Sequence, residues 1–191
     1  CELGADDVLF HPIALPDEGR VSRRAAIAVL MDLPDDRPEA SGITLPSHIA
    51  LWQALQKATL QRVDRYGHQI VEEVLRAAQR SSGTTLNEPA SREQFLNLLP
   101  IRIAPATLAQ AAVNALSGEG CEVAIWGVNW PAMGAGTDPR RGPMPYGEQL
   151  NRILNAAECV VLPWMSMTTV RLALDALASG ATVILRTSEE S

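Results

Sequence analysis

The stretch Glu158–Arg186, ECVVLPWMSMTTVRLALDALASGATVILR, restricts the fold more than any other part of the chain. Cys159–Leu162 is a short apolar run of the kind that lies buried on both faces of a parallel sheet. Pro163 has no N–H to give a ladder, so the strand ends there and Pro163–Met167 is a loop. Thr168–Ser179 carries Val170, Leu172, Ala173, Leu174, Ala176, Leu177 and Ala178 at helical spacing, with Ser166 or Thr168 as the N-cap. Gly180 supplies a left-handed C-cap, and Thr182–Leu185 is a β-branched strand. Two strands joined by a helix of this length make a right-handed βαβ unit. Its carboxyl edge, Trp164–Arg171, is where open α/β sheets bind ligands.

Arg171 runs against local preference. It falls in or beside the first turn of that helix, where the macrodipole disfavours a cation. A phosphate bound at the same end reverses the balance, because free N–H groups and the dipole both favour an anion. A surface ion pair with Asp175, four residues on, accounts for Arg171 equally well.

The rest of the chain supplies more elements of the same class. Asp6–Phe10 reads as a short strand or extended segment. Arg24–Leu33 alternates Ile27, Val29 and Met31 before Pro34, and is read as a buried strand. Pro46-Ser47 opens the longest helical pattern, Ile49 to Ala77, with a kink or a two-helix break expected near Tyr66–His68 because Gly67 interrupts it. Shorter helices are expected over Ser91–Leu99, capped by Ser91, and Pro105–Leu116, opened by Pro105. From Gly120 onward the order reads β-α-β-α-β: Cys121–Trp126, the helix Gly147–Ala157, then the unit described above. The expected fold is a Rossmann-like parallel sheet sandwiched by helices with a helix-rich N-terminal portion. Its parts are residues 1–46, extended segments and a Pro-rich loop; 47–119, helical; and 120–191, the ligand-binding half, together one domain.

Several functions are excluded or disfavoured. A net charge of −6 argues against nucleic acid or anionic membrane as a partner. No apolar run approaches the length of a membrane span, and the start, CELGADDVLF, is no signal peptide. Cys1, Cys121 and Cys159 show no paired spacing; Cys121 and Cys159, each opening a strand, are expected to be buried thiols in a reducing, cytoplasmic setting. The histidines His11, His48 and His68 are scattered, and no metal or cofactor site is expected. No GxGxxG follows a strand and no GxxxxGK[ST] occurs, which leaves an oxidoreductase with little support. Pro131–Pro145 is a long Gly/Pro loop, functional or disordered by length, in which Arg140 and Arg141 face the expected site or form a solvated tip.

Three segments, IWGVNW, GPMPYGEQLNRILNAAECVVLPW and VRLALDALASGATVILR, resemble the nucleotide-binding half of a GT-B glycosyltransferase of the glycosyl transferases group 1 type, in particular its spore-maturation-like branch. The shared features are Gly127 and Trp130 after a strand, a glycine-opened helical segment, and the pattern Arg171, Asp175, Ala176, Ala178, Gly180. They cover about Cys121–Arg186. The resemblance implies a nucleotide-diphosphate sugar as donor substrate and a hexosyltransferase type of activity. The diphosphate then lies against the amides of Met167, Thr168, Thr169 and Val170, near the hydroxyls of Ser166, Thr168 and Thr169. Arg171 neutralises phosphate, Asp175 takes the ribose hydroxyls, and Gly127 and Trp130 border the site. Met167 departs from the family, where a Glu is usual, so the carboxylate pair of retaining enzymes is incomplete. Such an enzyme also needs a second Rossmann half. The chain is therefore expected to be the donor-binding part of a longer protein, or a stand-alone relic, with an N-terminal half or another protein as partner. A scaffold with a degenerate Rossmann-like fold is the alternative, in which the apolar stripe of Ser47–Ala78 serves a partner surface. Trp126 and Trp130 are either packing or base-stacking groups.

Overall fold

A computed structural model of the chain describes residues 26–63, 70–132, 139–164 and 166–186. The expected segment at Asp6–Phe10, the break at Tyr66–His68 and the Gly134–Gly136 part of the long loop lie outside these residues. Two compact units appear, and their boundary departs from the expected one. Residues 26–32 join 112–186 in an α/β unit, while 33–111 form a helical one.

The α/β unit is built on five parallel strands: β1 (Ala26–Leu30), β2 (Glu122–Trp126), β3 (Arg140–Gly142), β4 (Cys159–Leu162) and β5 (Thr182–Leu185). Their order across the sheet is β3-β2-β1-β4-β5. The expected Rossmann-like α/β fold is therefore the observed one. β1, read as a buried strand, is the middle of the sheet; it pairs Val29 with Ile125 of β2 and with Val161 of β4. An all-apolar strand, AIAVL, is what a position flanked on both edges requires. The simple β-α-β-α-β reading missed β3. Arg140–Gly142 lies in the stretch read as a loop, and its burial pattern carries no apolar alternation that a sequence reading could detect.

Two helices, α5 (Gly147–Ala156) and α6 (Met167–Ala178), cover one face of the sheet. Leu150 and Leu154 of α5 and Leu172, Ala173 and Ala176 of α6 pack with Ala28 and Leu30 of β1 and Val160 and Leu162 of β4 in one core. The small residues on α6 let it approach the sheet closely. The helices are also tied by a polar bond: the Ser179 hydroxyl donates to Asn151 Oδ1 at 2.9 Å, and both residues are buried. Cys121 and Cys159 are free and half-buried, less enclosed than expected. Desolvation nonetheless pushes the Cys159 thiol up, which suits an unreactive structural cysteine.

The helical unit contains α1 (Pro46–Leu60), α2 (Val71–Ser82) and α3 (Pro89–Leu98), and the start of α4 (Ala104–Gly118). The long pattern from Pro46 is thus two helices, which pack on each other. Leu51, Trp52 and Leu55 of α1, Val74, Leu75 and Ala78 of α2, and Phe95 of α3 are buried. His48 meets the Phe95 ring edge-on at 5.5 Å and packs against it. α3 begins at Pro89, not at Ser91, and runs into α4 through a π-helical turn, Leu99–Ile103. Pro100 and Pro105 each remove an N–H and crowd the carbonyl four residues back. The wider turn relieves that crowding: the Ala104 amide reaches the Leu99 carbonyl, five residues before it. Two separate helices were expected here, and one continuous rod results. Pro89–Gly118 is long and apolar enough by composition to cross a membrane, but half of the apolar window is buried within the protein, as in a core helix.

Candidate functional site

The strand order has a single reversal. From β1 the chain moves outward through β2 to β3, then returns to β4 and moves the other way to β5. The carboxyl ends of β1 and β4 thus diverge, and the connections leaving them leave a crevice between them. A cavity of about 520 Å³ occupies this point, within the range that holds a small organic ligand. Three segments line it: Leu30, Met31 and Asp32 at the end of β1; Met144–Gly147 and Leu150 at the start of α5; and Ser166, Thr168, Thr169, Arg171, Leu172 and Asp175 on α6. Leu30, Leu150 and Leu172 make an apolar floor, with polar groups at the rim.

The start of α6 is firmly capped. The Ser166 hydroxyl accepts from the Thr169 amide at 3.2 Å, and the Thr169 hydroxyl accepts from the Ser166 amide, a reciprocal capping box. The Val170 amide donates to the Ser166 carbonyl at 3.0 Å. Of the four amides expected to face an anion, Thr169 and Val170 are engaged in the helix, leaving Met167 and Thr168 as the first-turn donors. Arg171 is exposed and reaches the crevice without an ion-pair partner among the described residues. The surface pair with Asp175 is not what the structure holds. Asp175 is 5% exposed, so its carboxylate forms part of the crevice wall.

Gly127 and Trp130 do not line the crevice. They buttress it. Trp130 is buried and its indole N–H donates to the Met31 carbonyl at 2.7 Å. Gly127 lies at φ +144°, and a Cβ there would stand 1.9 Å from the Met31 oxygen, a separation that only glycine permits. The Val128 amide donates to Asp32 Oδ1 at 2.9 Å. The turn after β2 is thereby fastened to the end of β1. Trp126 is half-buried against the core and borders a second, apolar hollow of about 430 Å³, together with Arg141. Arg140 donates to the Trp130 carbonyl at 3.2 Å. The paired arginines therefore do not face the main crevice.

No family model, curated protein or solved structure matches the chain.

Asp32 and Tyr146 were missed by the sequence reading. Tyr146 stands at the mouth of the crevice, 79% exposed. A carboxylate directly after a buried strand was the available signal for Asp32, but it says nothing until that strand is known to border the reversal. Among the described residues, no group of three or more His, Cys, Asp or Glu side chains is arranged to hold a metal.

Proposed function

We propose that the crevice binds a nucleoside diphosphate carrying a sugar, and that the chain is the donor-binding part of a glycosyltransferase. The observation that carries this reading is the pairing, on one helix, of an exposed cation just past the first turn with a buried carboxylate one turn further in. Arg171 and the Met167 and Thr168 amides suit a diphosphate. Asp175, sunk in the wall, suits two vicinal hydroxyls of a ribose, since a carboxylate accepts from both. Tyr146 offers the exposed aromatic face on which a base can stack. The position at the reversal of strand order is the general ligand site of this fold. Transfer requires an acceptor-binding domain as well, and we assign only donor binding to this chain.

The scaffold alternative relied on the apolar stripe of the Ser47–Ala78 helices. Of that stripe Trp52, Leu55, Thr59 and Val74 are buried inside the helical unit, whereas Val63 is 46% exposed, so only part of it is open to a partner.

Calorimetry with UDP, GDP, ADP, their sugar conjugates and NAD tests the proposal. One nucleoside diphosphate should bind, and Asp175→Asn should weaken it by about tenfold, the usual loss of a charge-assisted hydrogen bond. Arg171→Ala should weaken the diphosphate more than the bare nucleoside. A folded protein silent to all the diphosphates, or one that binds NAD alone, refutes the reading.

A further inference from the structure

We infer that Asp32 is the carboxylate that recognises the sugar hydroxyls, and that the turn Gly127–Trp130 serves to hold it in place; this rests on the crevice being the nucleotide-sugar site. Asp32 is the last residue of the β1 segment in the α/β unit and lies on the crevice wall. The backbone around it is pinned from several directions. The Met31 amide donates to the Trp126 carbonyl at 3.0 Å, and the Met31 carbonyl accepts from the Trp130 indole. The Val128 amide fixes one oxygen of Asp32 itself. The other oxygen takes no hydrogen bond from the described residues and the side chain is exposed, so an acceptor of fixed direction faces the cavity.

Maintaining this arrangement costs conformational strain. Asn129 at φ +62° bears a left-handed conformation, in a turn where Gly127, lacking a Cβ, takes φ +144° freely. Such strain persists where surrounding structure enforces it, and it gathers at functional sites. The turn makes no lining contact of its own with the crevice; what it positions is Met31 and Asp32.

Charge decides what Asp32 can bind. A fixed anion repels phosphate, so Asp32 cannot belong to the same subsite as Arg171 and the amides that begin α6. It accepts from donors, and on a nucleotide sugar beyond the phosphates the donors are sugar hydroxyls, or an amine on an amino sugar. Because Asp32 is exposed, a ligand lacking the hydroxyl leaves it hydrated, and the discrimination it supplies is that of one hydrogen bond to a charged group, about tenfold.

Wild type, Asp32→Asn and Trp130→Phe are titrated with UDP, GDP and ADP, their glucose or mannose conjugates, UDP-glucosamine and glucose 1-phosphate. Asn retains an oxygen for the Val128 amide, and Phe retains most of the ring, so both variants should fold. We expect Asp32→Asn to weaken each sugar-bearing ligand about tenfold and leave the bare diphosphates unchanged or slightly tighter. Trp130→Phe should show the same selectivity at about threefold, whereas a merely structural tryptophan would weaken both classes alike. Loss confined to UDP-glucosamine would make the recognised group an amine and overturn the hydroxyl assignment. Equal effects of Asp32→Asn on both classes, no effect on either, or the absence of any sugar-bearing ligand would also overturn it. Binding of diphosphates with no sensitivity of the conjugates to Asp32 would preserve the nucleotide reading and remove the role of Asp32. Binding of glucose 1-phosphate alone, lost in Asp32→Asn, would do the reverse.

Discussion

Replacing Gly127 by alanine tests how the crevice wall is built. An ideal Cβ at this position lies 1.9 Å from the Met31 oxygen and 2.5 Å from its carbonyl carbon, whereas real contacts stay above 3.0 Å. The β1 end and the turn must therefore separate by about 1 Å. Alanine at φ +144° adds roughly 1–3 kcal/mol of backbone strain. The movement also stretches three hydrogen bonds: Met31 to Trp126 at 3.0 Å, Gly127 to Gly142 at 2.8 Å, and Trp130 to Met31 at 2.7 Å. At about 0.5–1.5 kcal/mol each, partial loss brings the total to about 3–5 kcal/mol. Gly120→Ala is the control. That glycine also has a positive φ, +78°, but nothing lies within 4 Å of its added Cβ, so only about 1 kcal/mol is expected. Urea unfolding followed by far-UV circular dichroism measures both. With a slope of about 1–3 kcal/mol/M, Gly127→Ala should lower the midpoint by about 1 M or more. Midpoints that coincide for the two variants would refute the close approach of the turn to β1.

Two further outcomes follow from local geometry. Ser166→Ala and Thr169→Val each remove one arm of the α6 capping box and should each cost about 1 kcal/mol; because the arms are reciprocal, the double variant should cost clearly less than the sum, and strict additivity in a double-mutant cycle would refute the box. Asp35 accepts from the Arg37 guanidinium at 2.9 and 2.7 Å, which holds its carboxyl down to about 2. The pair's contribution is present above the ordinary carboxylate pKa and lost as pH falls through about 2; carboxyl NMR should show that midpoint in wild type and its return towards 3.8 in Arg37→Gln, and a wild-type midpoint already near 3.8 would contradict the pairing.

Much of the α/β unit was legible because its signals are local. The run CVVL, the proline after it, the small-residue helix and Gly180 specify strand, loop, helix and strand without help from elsewhere. The same holds for the cap at Ser166, a hydroxyl at the border between loop and helix. The strand at Ala26–Leu30 was legible as a buried strand for the same reason: no polar residue interrupts it. What periodicity could not supply was partnership. β3 is three residues, RRG, and becomes a strand only because β2 offers it an edge. Pro100 and Pro105 signal interruption in sequence, yet packing of Leu99 and Ile103 in the helical core holds the rod together through a π turn.

The sequence alone determined most of the element types, the parallel class of the sheet and the helix start that borders the crevice, since each depends on hydrogen-bonding capacity and apolar spacing within a few residues. The tertiary structure decided the order β3-β2-β1-β4-β5, and with it everything about the site that depends on distance in space. That order puts Asp32 opposite residues more than a hundred positions later in the chain, buries Asp175 where a surface pair was open, and turns Gly127 and Trp130 from lining into support. Strand order is set by which apolar faces share a core, a sum over contacts distant in sequence, and no local pattern records that sum.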